Sequence, residues 1–111
     1  MTELHKLIDI IADFRDRTFS TSQRNPAIVK KLREEVDELI AAFEDQDGSN
    51  RHKLLPEYAD CLILLLDSLR TAGFSMDELI SASFIKMEIN NKRSWGNADE
   101  NGIIRHIKEG I

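Results

Sequence analysis

Four acidic residues near the middle of this sequence fall into two pairs, Glu35 with Glu38 and Glu57 with Asp60. Residues three apart on an α-helix occupy neighbouring turns of one face, so each pair presents its carboxylates side by side. Two such helices facing one another could gather four carboxylates. A hard cation such as Mg²⁺ wants a site of that kind, with oxygen ligands and room for phosphate and water. An ExxE pair by itself is commonplace on a solvated helix, because glutamate is a good helix former. Both pairs on consecutive helices say more than either alone.

The segments that carry the pairs read KKLREEVDELIAAF and EYADCLILLLD. Asn25-Pro26 looks like an N-cap followed by proline at the first helical position, and the spacing predicts a helix from Pro26 to about Glu44. Its apolar stripe is Ile28, Leu32, Val36, Leu39, Ile40 and Phe43, with Glu35 at one edge and Glu38 one step further round. DQDGSN, residues 45–50, breaks the pattern. The next helix is expected to begin between His52 and Pro56, since proline is tolerated in a first turn. Its stripe is Leu55, Tyr58, Leu62, Leu66 and Leu69. Glu57 and Asp60 lie on the other side, about 60° apart by the helical repeat, together with Leu64. Residues 61–66 are therefore apolar all round, which predicts a helix buried on every face. Its two acids then point into the protein or an interface, where carboxylates need cations or donors.

Two further helices complete the reading. Residues 3–17 space Leu4, Leu7, Ile8, Ile11 and Phe14 at helical intervals behind a Thr2 cap. Ala72-Gly73 ends the third helix with a C-cap glycine. Ser75, Met76, Asp77 and Glu78 form a capping box for a fourth helix that runs to about Arg93. Met76, Ile80, Phe84 and Met87 make its stripe, while Lys86, Asn90 and Arg93 share a neighbouring face whose donors suit phosphate oxygens or plain solvent. The chain is loop-like around Gly96 and Gly102, with a short terminal turn expected over residues 103–108. Four helices with short connections make a single all-α domain, a four-helix bundle.

Composition narrows the alternatives. The 111 residues suit one domain. A net charge of −5 leaves no global basic footprint for a nucleic acid polymer. The longest apolar run is six residues, too short to span a membrane, and the first residues lack a signal-peptide pattern. The single Cys61 excludes an internal disulfide and fits a reducing, cytoplasmic setting; within its apolar run it reads as an inert core thiol. His5, His52 and His106 are scattered without a zinc motif, and P-loop and dinucleotide glycine fingerprints are absent.

The order ExxE, spacer, ExxD resembles the all-α nucleoside triphosphate pyrophosphohydrolase superfamily, which includes MazG-like enzymes and dimeric dUTPases. IADFRDRTF before the acids and KMEINNKRSWG after them are most similar to phage and bacterial dATP/dGTP pyrophosphohydrolases. The resemblance covers about residues 8–96 and leaves residues 97–111 as a C-terminal extension. It implies a MazG-like bundle in which Glu35, Glu38, Glu57 and Asp60 hold Mg²⁺ (or Mn²⁺) and carry catalysis through metal and water. Lys86, Asn90 and Arg93 are then expected on the phosphates or sugar of a nucleoside triphosphate. Phe14, Phe19 and Trp95 are candidates for stacking on the base, although Phe14 sits in its helix's stripe and core packing is the preferred reading there. The expected reaction releases pyrophosphate from purine deoxynucleoside triphosphates in nucleotide-pool control. Hydrolysis of dUTP or phosphoribosyl-ATP on the same fold is the alternative, as is a non-catalytic helical interaction domain. The apolar third helix predicts at least a dimer, homodimeric or homotetrameric, with the core completed across subunits.

Overall fold

The computed structural model describes residues 2–19, 25–45 and 51–108. Among these residues four α-helices follow one another: α1 (Glu3–Thr18), α2 (Asn25–Glu44), α3 (Arg51–Thr71) and α4 (Met76–Lys92). Among the described residues there is no strand beyond one isolated bridge, Trp95 with His106. The all-α class is as the sequence implies. The chain groups into two compact units, Met1–Met76 and Asp77–Ile111.

In the first unit the helix ends are set by local chemistry. Thr2 caps α1 with its hydroxyl on the His5 N–H, and the His5 ring reaches back to the Thr2 N–H. Each therefore serves a backbone donor that the first turn leaves open. At the end of α3, Gly73 takes φ +92°, its N–H bonds the Arg70 carbonyl, and the Phe74 N–H bonds the Leu69 carbonyl. That pair of bonds is a Schellman close, whose left-handed position favours glycine.

Two expectations shift at α3. The helix starts at Arg51, so Pro56 is its sixth residue and lies inside it, past the first turn. Proline removes one backbone bond there, but Leu55 and Pro56 are exposed, so solvent can reach the interrupted turn. The expectation of burial on every face also fails within one chain. Leu66 is 1% exposed and Asp67 is buried beside it, whereas Leu55 is 71% and Tyr58 50% exposed. Among the described residues the buried apolar side chains are instead Ile8 and Ile11 of α1, Ile28 of α2, Leu66 of α3 and Met76 at the start of α4. Val36, Ile40 and Phe43 of the α2 stripe are exposed, and Phe43 packs edge-on against Tyr58 with ring centres 6.2 Å apart. Most of the expected loop at 45–50 lies outside the described residues, as do residues 20–24 between α1 and α2.

The second unit holds most of α4 and the segment after it. Phe84, Ile85 and Met87 are exposed, two of them from the expected stripe. Residues 103–108 form no helical turn. They run back in extended form, with the Gly96 N–H on the Arg105 carbonyl and the Ile107 N–H on the Ser94 carbonyl. Asp99 shapes the bend: its Oδ1 accepts from the Asn101 and Ile103 N–H groups and its Oδ2 from Arg105 at 2.6 Å. These side-chain bonds add to the backbone pairs that hold the segment.

Candidate active site

Within the first unit, α2 and α3 bring three of the four acids together. One carboxylate oxygen each from Glu35, Glu57 and Asp60 lies within 4.8 Å of the others. Glu38 adjoins them through a hydrogen bond with Glu35. That bond, followed by the charge of Glu35, burial and the charge of Glu57, holds the Glu38 carboxyl above its ordinary value, against the opposing pull of Lys31. The sequence left Glu35 on a flank, yet it is buried at 9% exposure. Its place at the edge of the α2 stripe turns it toward α3.

A buried carboxylate without a donor is expensive. Glu35 Oε2 and Glu57 Oε2 are both buried and accept no hydrogen bond. Lys31 reaches Glu35 Oε1 at 3.4 Å, but it also serves Glu34 at 3.3 Å and is half exposed. It neutralises only part of the cluster. Bonds to Glu34 first, then Glu35, raise the Lys31 ammonium above its ordinary value. Converging oxygens, two orphaned lone-pair sites and an unbalanced negative charge fit a divalent cation that takes oxygen ligands.

Cys61, one residue past Asp60, is half-buried. Desolvation first, then the charges of Glu35, Asp60 and Glu57, push its thiol upward. The expected core thiol is thus only half covered, and its neighbours include the acids as well as the apolar run.

Beside the acids is a cleft of about 310 Å³ lined by Ile11, Phe14, Arg15, Phe19, Ile28, Lys31, Ile63, Leu64 and Asp67. Phe14 is 48% exposed and meets Phe19 edge-on with ring centres 6.0 Å apart, so it is a cleft wall and not core, contrary to the preferred reading. The Arg15 guanidinium lies 5.1 Å above the Phe19 ring. It also grips Asp67 Oδ2 through both Nε and a terminal nitrogen. Asp67 Oδ1 accepts no hydrogen bond; Arg70 stands 3.6 Å from it.

Arg15, Lys31 and Asp67 were not singled out from the sequence. A signal for two of them exists in the spacing. Asp67 lies seven residues beyond Asp60 and Lys31 four before Glu35, so each shares a face with an acid already marked. Arg15 has no comparable local signal, since its partner is 52 positions away.

Lys86, Asn90, Arg93 and Trp95 belong to the second unit. Arg93 donates to Asn90 Oδ1 at 3.4 Å, and Trp95 Nε1 donates to the Asn90 carbonyl at 3.1 Å. The Trp95 ring meets His106 edge-on at 6.0 Å.

Residues 7–110 match the family model described as dATP/dGTP pyrophosphohydrolase. Among solved structures, the chain is similar to one described as a cyanophage S-2L MazG-like pyrophosphohydrolase bound to dGDP and three catalytic Mn²⁺ ions per active site. The two are 33% identical, 98% of this chain and 97% of that one are covered, and the TM-score is 0.70. No curated protein matches the chain.

Proposed function

Because the chain belongs to the dATP/dGTP pyrophosphohydrolase family, we propose that it hydrolyses purine deoxynucleoside triphosphates on divalent cations held by Glu35, Glu38, Glu57 and Asp60. Water attacks the α-phosphorus, the α–β anhydride bond breaks, and the products are the nucleoside monophosphate and pyrophosphate. The observation that carries the site assignment is the buried, donor-less Glu35 Oε2 beside Glu57 and Asp60. Mg²⁺ or Mn²⁺, when bound there, supplies charge neutralisation of the triphosphate oxygens and acidification of a water. The relative's three Mn²⁺ ions support a divalent cation as the cofactor.

The protein's own residues do the rest. Glu35 and Glu57 come from facing helices, so a rigid hairpin fixes their separation. Glu38 lies against Glu35, which raises its carboxyl above the ordinary value and sets a fourth acid beside the three that converge. Lys31 offsets part of the cluster's charge from the cleft side. In this reading Lys86, Asn90 and Arg93 bind the phosphates or sugar, where cationic donors stabilise phosphoryl oxygens. Phe19, exposed at the cleft wall, and Trp95 offer aromatic faces for the base.

The working form in this reading is a homo-oligomer, at least a dimer. Phe84, Ile85 and Met87, all more than half exposed within about one turn of α4, support it, because contiguous large apolar side chains at a surface mark a face that pairs. Among the described residues no helix is long and apolar enough to cross a membrane. A cytoplasmic setting is supported by the unpaired cysteine.

Pyrophosphate release from a panel of deoxynucleoside triphosphates, with Mg²⁺ or Mn²⁺ and then with excess chelator, tests the reading. E38Q and D60N are expected to lose cation-dependent release while retaining helical circular dichroism. Full activity in both variants would overturn the assignment.

A further inference from the structure

We infer that Asp67, steadied by Arg15, reads the hydrogen-bonding edge of the base and makes the enzyme prefer guanine to adenine. The inference rests on the pyrophosphohydrolase reading above and adds the identity of the base.

Three observations lead to it. The first is placement. Asp60, Leu64 and Asp67 follow one another at helical spacing on α3, and seven residues advance about 10 Å along the axis. That is the order of the distance between the α-phosphate of a nucleotide and its base. A phosphate near the acids thus leaves the base in the cleft that Asp67 lines. The cleft's volume, about 310 Å³, falls within the range of small-molecule sites, and Phe14 and Phe19 supply aromatic walls.

The second observation is the state of the carboxylate. Asp67 is 3% exposed, and such a group normally satisfies both oxygens within the protein. Here Arg15 binds only Oδ2, from two nitrogens. Oδ1 is buried without a hydrogen bond, and the nearest cation, on Arg70, is 3.6 Å away. Arg15 is thus a positioning residue: it fixes the carboxylate by one oxygen and leaves the other to accept.

The third is chemical complementarity. An ionised carboxylate only accepts. Guanine places two donors side by side, N1–H and the N2 amine, so an acceptor can meet both. Adenine offers one donor, its N6 amine, next to the N1 lone pair, which repels a carboxylate oxygen. A site built around a hydrogen bond rejects the analogue that lacks it, because the buried group then stays unpaired.

The test uses the full-length protein and needs no mutation. With Mn²⁺ present, kcat/KM is compared for dGTP, dITP, dATP and 7-deaza-dGTP. A two-donor base contact favours dGTP over dATP by about 10-fold or more. dITP keeps N1–H but lacks the N2 amine, so it falls between them. 7-Deaza-dGTP alters only the far edge and should match dGTP. Calorimetric binding of dGMP against dAMP reads the same preference without catalysis. D67N, checked for helical content, is expected to bring the dGTP/dATP ratio toward unity. Equal binding of dGMP and dAMP, or equal turnover of dGTP and dATP, would overturn the assignment of Asp67. Failure to release pyrophosphate from any triphosphate, with dGMP still preferred, would instead overturn the hydrolytic reading and leave the base assignment standing.

Discussion

Arg15 and Asp67 join α1 to α3 by a buried ion pair across 52 positions of sequence. Their side chains are 11% and 5% exposed, so both partners are withdrawn from solvent. Removing one partner of a buried pair strands the other, which costs more than the pair itself contributes. The two ends are not equivalent here. Asp67→Ala removes the anion that both Arg15 and Arg70 meet, whereas after Arg15→Ala the carboxylate keeps Arg70. Urea unfolding is expected to show a loss of about 3 kcal/mol for Asp67→Ala and a smaller loss for Arg15→Ala. Equal losses would mean that Arg70 gives Asp67 no support.

The acid cluster makes the opposite prediction for stability. Glu35 lies buried among like charges, and its one cationic partner among the described residues, Lys31, is half exposed. An exposed partner of that kind contributes little. Glu35→Gln is therefore expected to leave the melting temperature unchanged or higher without metal. A ligand at 100 times its Kd adds about 2.7 kcal/mol, so Mn²⁺ should raise the melting point of the natural protein by several degrees. The variant should lose that rise. A variant that melts lower without metal yet still responds fully to Mn²⁺ would place the cation elsewhere.

Acid should loosen the C-terminal segment through Asp99. The bond from Arg105, then that from the Ile103 N–H, holds its carboxyl below the ordinary value of 3.8. A depressed folded-state value contributes stability above the unfolded value, lost as pH falls through the folded one. Trp95 emission is therefore expected to hold through mildly acid pH and to change below the ordinary aspartate range. Arg105→Ala moves the change to higher pH. A transition that stays in place in that variant would remove Asp99 as its cause.

Gly73 gives a prediction with a single cause. A Cβ added there meets nothing within 4 Å, so space is not the constraint, but φ is +92°. Gly73→Ala is expected to cost about 1–2 kcal/mol, the penalty of an L-residue in a left-handed conformation, read by urea unfolding. Gly73→Asn should cost less, because asparagine enters that region more readily.

Much of this was written locally in the chain. Thr2, Pro26, Gly73 and Ser75 mark helix ends because capping acts within a few residues. The acids were legible because a three-residue interval has one meaning on a helix. What the sequence concealed depends on packing between elements. Asp67 reads as an unremarkable acid closing an apolar run until α1 sets Arg15 against it. Phe14 occupies a regular stripe position, and only the arrangement of α1, α2 and α3 turns it into a wall. Residues 103–108 alternate too little to declare a strand, and their extended path depends on the bonding of Asp99. The exposed half of the α3 stripe is a related case, since periodicity states which side is apolar and not what covers it.

Lys31 belongs to two places at once: it reaches the Glu35 carboxylate and forms part of the wall beside Phe19 and Asp67. A charge altered on that ammonium is felt in both compartments without any helix moving. No replacement of this lysine can therefore be interpreted as a change at one location, and a loss of activity there must be apportioned between the acid cluster and the cleft before it carries meaning.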